Sequence, residues 1–101
     1  MLYKLNWSST SIDSYIEEME FILLKWNLKE VEKFSTLVEK SLQRLSKNPE
    51  IGIYNKSSNV YSFVISKQTT LYYSVNIQTK NIALHVFWNN LRNPNDLAKL
   101  L

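Results

Sequence analysis

The sequence predicts a single α+β domain over residues 1–101, in which a hairpin of two helices packs on an antiparallel sheet in the order β-α-α-β-β-β. Three observations lead to this fold class. The chain has 101 residues, enough for one domain with a small core. Its apolar residues recur every three or four positions in the first half and every second position in the second half. The two helical segments are joined by a short connection, so they should lie antiparallel and cover one face of the sheet.

The chain begins with a predicted strand and a predicted helix. Residues 2–7 have the alternation of a short strand, with Tyr3, Leu5 and Trp7 on one face. Thr10 and, three residues later, Asp13 are typical of a helix start, because their side-chain oxygens can accept hydrogen bonds from free backbone N–H groups. We expect this helix to bury the apolar row Ile12, Tyr15, Ile16, Met19, Ile22, Leu23 and Trp26.

A second helix should follow almost without a gap. Asn27 can cap it, with Glu30 three positions later, and Asn48-Pro49 should end it because the proline ring disfavours a helical residue before it. Its predicted apolar stripe consists of Val31, Phe34, Val38, Ser41, Leu42 and Leu45.

After Pro49 the hydrophobic period becomes two, which predicts three strands. The turns KQTT and QTKN between them are short and polar, so the strands should form an antiparallel meander, followed by a short helical tail from Asn95. Tyr72 and Tyr73 are adjacent on a strand and therefore face opposite ways; we expect Tyr73 in the core. The alternating apolar residues are Tyr61, Phe63 and Ile65, then Leu71, Tyr73, Val75 and Ile77, then Ile82, Leu84, Val86 and Trp88.

The composition excludes several classes of site. A chain with no cysteine and one histidine has no disulfide, no thiol catalysis and no Cys-rich or His-rich metal site. Its single glycine excludes a glycine-rich phosphate loop. No apolar run approaches the ~20 residues that span a bilayer, and the N-terminus lacks the pattern of a signal peptide. We therefore expect a soluble cytoplasmic protein with no metal, no small-molecule cofactor and no membrane contact.

The net charge of +3 lies in the second half, where residues 48–101 hold five basic and two acidic side chains. This excess suits nucleic-acid phosphates or an acidic protein equally well, and it is also common on ordinary surfaces. His85 titrates near neutral pH and could be an acid or base, or a structural residue. Lys67 and Arg92 follow strand ends and could meet at one rim of the sheet, as a phosphate clamp or as solvated charges. Phe21 and Trp26 either contact a partner protein or belong to the core.

Three stretches of the sequence follow one another from the end of the predicted helical hairpin onward. LQRLSKNPEIG ends the helical hairpin, FVISKQTTLYYSV contains a lysine and a Leu-x-Tyr, and IALHVFWNNLRNP closes the last strand. Together they resemble the RelE/ParE toxins of bacterial type II toxin–antitoxin modules, from Tyr3 to Pro94. Lys67 matches a basic position of the family. The last motif departs from the family's pattern, which has Asp and Arg where this chain has Asn89 and Leu91, and Arg92 comes one position later.

This resemblance implies a helical hairpin on a twisted antiparallel sheet that includes the N-terminal strand. It also implies a toxin of the plasmid stabilisation type that acts either as a ribosome-dependent mRNA endoribonuclease or as an inhibitor of DNA gyrase, and that an acidic antitoxin silences. The candidate catalytic residues are then Lys67, Arg92 and His85, and Phe21 and Trp26 are candidates for antitoxin contact. The alternative is a non-enzymatic or decayed member of the fold that serves as a protein-binding module.

Overall fold

The computed structural model describes residues 2–101 and confirms a helical hairpin on a five-stranded sheet. The strand order in the sheet is β1-β5-β4-β3-β2. No helix within residues 2–101 is long and apolar enough to cross a membrane. The elements are β1 (Lys4–Trp7), α1 (Ser9–Lys25), α2 (Leu28–Lys47), β2 (Ile53–Asn55), β3 (Val60–Val64), β4 (Thr69–Asn76), β5 (Asn81–Asn89) and α3 (Pro94–Ala98).

The sheet is mixed, which corrects the prediction of a purely antiparallel sheet. The pairs β2–β3, β3–β4 and β4–β5 are antiparallel, but β1 pairs parallel to β5, from Lys4 opposite Asn81 to Trp7 opposite Leu84. Parallel neighbours need a long connection, and here the helical hairpin and three strands separate the pair. The sequence also gave no sign of β2, because three residues are too few for a detectable alternation.

The second helix confirms its prediction at both ends and along its face. The Asn27 side chain accepts a hydrogen bond from the Glu30 backbone N–H at 3.0 Å, and the helix ends at Lys47, before Asn48-Pro49. Large apolar side chains on one face of α2 therefore meet the sheet and form the core between the two layers. The buried members of this core are Ile22, Phe34, Val38, Leu42, Leu45, Ile65, Leu71, Tyr73, Ile82, Leu84 and Phe87.

The first helix differs from its prediction in both cap and face. It begins after Ser8, whose hydroxyl accepts a hydrogen bond from the Ser11 N–H at 3.0 Å, so Thr10 is not the cap. The buried residues of α1 are Ser11, Ser14, Glu18 and Ile22, whereas Ile12, Ile16, Leu23 and Trp26 from the predicted row are exposed.

The reason is that α1 lies along the edge of β5. Beyond Leu84 that edge has no strand partner within residues 2–101, because β1 ends at Trp7. The Phe87 backbone N–H instead donates a 2.9 Å hydrogen bond to the Ser14 hydroxyl, and the Ser8 hydroxyl donates to the His85 carbonyl at 3.2 Å. A helix can approach a strand edge this closely only through small side chains, so serines occupy the buried face.

A β-bulge in β5 changes which side chains face the helices. Tyr72 lies opposite Val86 and Tyr73 opposite Leu84, so His85 is an extra residue without a partner in β4. Before the bulge, Leu84 faces the helices; after it, Phe87 does, where its ring stacks on Trp7. The prediction that Val86 and Trp88 continue the row of Leu84 is therefore wrong, and both lie on the opposite face of the sheet.

Candidate functional site

The face of the sheet away from the helical hairpin carries a broad cleft. This cleft of about 850 Å³, the sheet cleft, is lined by Lys56, Ser57, Ser62, Tyr72, Leu97 and Leu101, among others. Strands β3 and β4 form its floor, β2 and the β2–β3 turn form one wall, and the C-terminal segment from Pro94 forms the other. Cation, hydroxyl and phenol groups thus converge on one concave surface, the usual form of a ligand site.

The bulge places the only histidine beside this cleft. The His85 Nε2 atom lies 2.9 Å from the Ser74 hydroxyl, and both residues line a 230 Å³ pocket that shares Ser58, Val60 and Leu101 with the sheet cleft. Burial lowers the pKa of His85, so the imidazole is neutral at neutral pH. A neutral ring that is held by a hydroxyl group can accept a proton.

Tyr72 and Tyr73 have opposite roles, as predicted. Tyr73 is buried under the helices, where its hydroxyl donates to the Pro49 carbonyl at 2.8 Å and accepts from the Gly52 N–H at 3.2 Å. Tyr72 faces the sheet cleft, and its partial burial raises the pKa of its phenol. The Tyr72 hydroxyl therefore remains protonated at neutral pH and is available as a hydrogen-bond donor.

A buried carboxylate joins α1 to the ends of β4 and β5. The Thr69 hydroxyl donates a hydrogen bond to the Glu18 carboxylate, and the Asn89 side chain bonds to it as well. Burial raises the pKa of Glu18, against these hydrogen bonds and the charge of Arg92. The Asn89 side-chain oxygen also accepts from the Leu91 N–H at 2.9 Å. An aspartate at position 89 would place a second carboxylate against Glu18, so an amide suits this position.

A second groove lies on the helix side of the sheet, between α2 and the β3–β4 turn. This Trp26 groove, about 280 Å³, has Ile22, Phe34 and Leu37 along its apolar part. Its charged residues are Glu30, Lys33 and Lys67, and the Lys33 ammonium lies 3.3 Å from the Glu30 carboxylate. Trp26 is 46% exposed there. The Lys25 ammonium lies 5.0 Å from the centre of the Trp26 ring and 5.6 Å from that of Phe21.

Neither a protein-family model nor a curated protein matches the sequence. Solved structures do match it. The ParDE toxin–antitoxin system from Pseudomonas aeruginosa superposes with a TM-score of 0.71 at 10% identity, over 87% of this chain and 96% of that one. The RelBE2 complex from Mycobacterium tuberculosis gives 0.62 at 13%, over 89% and 100%, and a YoeB/ParE toxin from Agrobacterium tumefaciens gives 0.60 at 18%, over 86% and 98%. The chain has the RelE/ParE toxin fold.

Within this RelE/ParE fold, the three predicted catalytic residues lie in different surroundings. Lys67 is exposed in the β3–β4 turn and lines the Trp26 groove. Arg92 lies over the Trp88 ring, 4.5 Å from its centre, and 4.0 Å from the Glu17 carboxylate. The β3–β4 turn that carries Lys67 and the segment after β5 that carries Arg92 are in contact, as expected for one rim of the sheet. The Asn90 side chain donates a hydrogen bond to the Lys67 carbonyl at 3.2 Å. His85 is separate from them, in the pocket beside the sheet cleft.

The sequence alone did not identify several polar residues of the candidate site. Ser74 and Lys56 belong to the cleft region, but each was an ordinary polar residue in the sequence. Glu18 belongs to an acidic stretch of α1 whose composition favours solvent exposure, yet it is 5% exposed. The signal that could have found it is the serine pair Ser11 and Ser14, at helical spacing on the same face, which marks close packing of that face. No group of three or more His, Cys, Asp or Glu side chains in residues 2–101 could hold a metal ion.

Proposed function

We propose that this protein is the toxin of a type II toxin–antitoxin module, of the plasmid stabilisation type, acting in the cytoplasm. The observation that carries the proposal is the match of 86–99% of the chain to solved toxins of this fold. The M. tuberculosis neighbour is a toxin–antitoxin complex, and the P. aeruginosa neighbour is a toxin–antitoxin system. A resemblance in three sequence motifs supports the same reading.

The partner that this function requires is a small acidic antitoxin. The net charge of +3 favours an acidic partner, and the Trp26 groove offers a local match. Its apolar residues could take an aromatic or aliphatic anchor, and a carboxylate beside that anchor would meet Lys67, whereas Lys33 already pairs with Glu30 in the same groove. Phe21, which shares the Lys25 ammonium with Trp26, extends this contact surface.

Co-expression with the protein encoded by the neighbouring gene tests this partner. We expect a tight complex, and Trp26→Ala should weaken it by about thirtyfold, the effect of removing an interface residue that contributes about 2 kcal/mol. Ile77→Ala is a matched control, because Ile77 is also exposed but lies in the β4–β5 turn. If the neighbour never binds, the toxin–antitoxin proposal fails; if it binds Trp26→Ala normally, only the docking site is wrong.

In the enzymatic form of the proposal, the sheet cleft binds RNA. With the His85 Nε2 proton donated to Ser74, the Nδ1 atom accepts the proton of a ribose 2′-hydroxyl. The 2′ oxygen attacks the adjacent phosphorus and the bond to the 5′ oxygen breaks, leaving a cyclic phosphate. The 5′ oxygen takes a proton from water to become a 5′-hydroxyl, and the hydroxide that remains takes the proton back from His85. Lys56 and the Tyr72 hydroxyl would stabilise the charge on the phosphate. Inhibition of DNA gyrase would need none of these steps.

Primer extension on cellular mRNAs, after brief induction without the neighbour, separates these modes. Discrete new 5′ ends that disappear in His85→Gln would support the cleft, and Gln78→Ala is an exposed polar control. Ends that persist in His85→Gln but disappear in Lys67→Ala and Arg92→Ala would assign cleavage to the rim instead. Growth arrest with intact messages would favour gyrase or another target, and normal growth would count against a toxin. Thermal unfolding of each variant checks that it is folded.

A further inference from the structure

The β2–β3 turn contains an asparagine with an unusual backbone conformation. Asn59 has a φ of 60°, in the left-handed region that residues other than glycine rarely adopt. Asparagine tolerates this region better than most residues because its short polar side chain can form local hydrogen bonds. Asn59 also lines the 230 Å³ pocket that contains His85, which we call the His85 pocket. Unusual backbone conformations that neighbouring contacts maintain are concentrated at functional sites.

Hydrogen bonds fix both the backbone and the side chain of Asn59. Its backbone N–H donates to the Asn55 carbonyl at 2.8 Å, and the Asn55 side-chain oxygen accepts from the Ser57 N–H at 3.0 Å, which closes the turn. The Tyr54 hydroxyl donates a hydrogen bond to the Asn59 side-chain oxygen. Tyr54 is itself packed against Tyr61, with the two ring centres 4.9 Å apart. The orientation of the Asn59 amide is therefore set by Tyr54.

The nitrogen of this amide is left for another partner. An asparagine side chain has one acceptor oxygen and one nitrogen with two N–H donors. Tyr54 occupies the oxygen of Asn59, whereas the nitrogen donates no hydrogen bond within residues 2–101. Asn59 shares the His85 pocket with Ser74 and His85. The group that Asn59 can offer to a ligand in this pocket is thus a pair of N–H donors.

The groups around the His85 pocket are hydrogen-bond donors of a kind that suits an anion. The hydroxyls of Ser58 and Ser74 lie in the pocket with His85, and Tyr72 and Lys56 lie in the adjoining sheet cleft. No aspartate or glutamate side chain lines either cavity. A concave surface with several donors, one cation and no acidic side chain favours a ligand with several acceptor oxygens.

We propose that the Asn59 amide binds a phosphate group in the His85 pocket, with Tyr54 as the positioning residue that fixes the amide. The inference rests on the proposed function only where this phosphate belongs to an RNA strand, because a free phosphate ion has the same oxygens. In RNA cleavage, negative charge grows on the phosphate oxygens as the 2′ oxygen attacks. A donor whose direction is already fixed stabilises that charge without rearranging.

Phosphate binding can be measured directly because the chain has a single histidine. The NMR signals of the His85 imidazole are recorded while inorganic phosphate is added, with chloride at equal ionic strength as the salt control. An anion beside the imidazole favours its charged form, so phosphate should raise the pKa of His85 in a saturable way and chloride should not. The measurement needs no RNA cleavage, toxicity or antitoxin.

A DNA trinucleotide distinguishes the two sources of the phosphate, since it lacks the 2′-hydroxyl and cannot be cleaved by the proposed reaction. If it shifts the His85 signals at a lower concentration than inorganic phosphate does, the pocket binds the phosphate of a strand. If only inorganic phosphate shifts them, the role of Asn59 stands and the proposed RNA cleavage in the sheet cleft fails.

Substitutions assign the binding to Asn59. Asn59→Gly keeps the left-handed backbone and removes the amide, so phosphate affinity should fall about tenfold. Tyr54→Phe keeps the ring but frees the amide, and it should also lower the affinity while thermal unfolding shows a folded protein. Lys80→Gly is the matched control, because Lys80 is the other left-handed residue, with φ 56°, and lines neither cavity. No phosphate-dependent shift in the parent, or equal affinity in the parent and Asn59→Gly, would overturn the proposal.

Discussion

Replacing Gly52 by alanine should destabilise the protein through two close contacts. A Cβ atom on residue 52 would lie 2.7 Å from the Ser62 carbonyl oxygen and 2.7 Å from the Tyr73 hydroxyl oxygen. Both distances are far inside van der Waals contact, and the Ser62 atom belongs to the backbone of β3, so it cannot rotate away. The segment that contains Gly52 must therefore move away from β3 and from Tyr73.

The cost can be worked from the two interactions that this movement disturbs. Relieving an overpacked contact costs typically 1–3 kcal/mol, and losing the hydrogen bond from the Gly52 N–H to the Tyr73 hydroxyl costs about 1 kcal/mol more. We expect Gly52→Ala to lower the free energy of unfolding by about 2–4 kcal/mol. In a domain of this size that is a fall in melting temperature of about 8 °C or more.

Urea unfolding followed by tryptophan fluorescence measures the effect, and Tyr73→Phe supplies a test of its cause. Removing the Tyr73 hydroxyl removes one of the two contacts, so Gly52→Ala should cost about 1 kcal/mol less in the Tyr73→Phe background. Ser58→Ala is a control in the exposed β2–β3 turn. A Gly52→Ala protein within about 0.5 kcal/mol of the parent would refute the steric reasoning.

Three further substitutions probe other contacts. Burial raises the pKa of Glu18 above its ordinary 4.5. The stability that this carboxyl contributes is therefore full below pH 4.5 and is lost as the pH rises through the pKa of the folded state. Glu18→Gln should remove this loss, which would be seen as a smaller fall in the free energy of unfolding between about pH 4 and pH 8. Ser14→Ala leaves the buried Phe87 N–H without its acceptor and should cost about 1–3 kcal/mol in urea unfolding, whereas Ser9→Ala should cost little. Asn27→Ala removes the cap of α2 and should cost about 1 kcal/mol, with Asn27→Asp nearly neutral; equal stabilities would contradict this role.

The helical hairpin and the meander could be predicted because each has a strong period of its own. The face of α1 could not, since hydrophobic periodicity assumes that a helix packs on a sheet face through large side chains. The neighbour of α1 is instead the edge of strand β5. The small residues Ser11 and Ser14 pack against this edge, and Ile16 on another side of the helix is exposed to solvent. In the same way, alternation along β5 holds only as far as His85, and a bulge leaves no mark in the sequence.

The candidate site was predictable only in part, because its geometry depends on contacts between distant segments. His85 could be named from its chemistry, but its approach to Ser74 follows from the bulge. Lys67 and Arg92 were placed at one rim, and their loops do meet through Asn90, yet the Arg92 side chain turns to Trp88 and Glu17. Which way a long side chain turns is decided by its neighbours in space.

The parallel pairing of β1 with β5 has a consequence for the newly made chain. Lys4 pairs with Asn81, 77 positions later, so the first strand synthesised must wait for the last. At roughly 5–20 residues per second, synthesis of that interval takes about 4–15 s, during which β1 has no partner and His85 has not been made. The five-stranded sheet therefore closes, and His85 reaches the sheet cleft, only when nearly the whole chain has been synthesised.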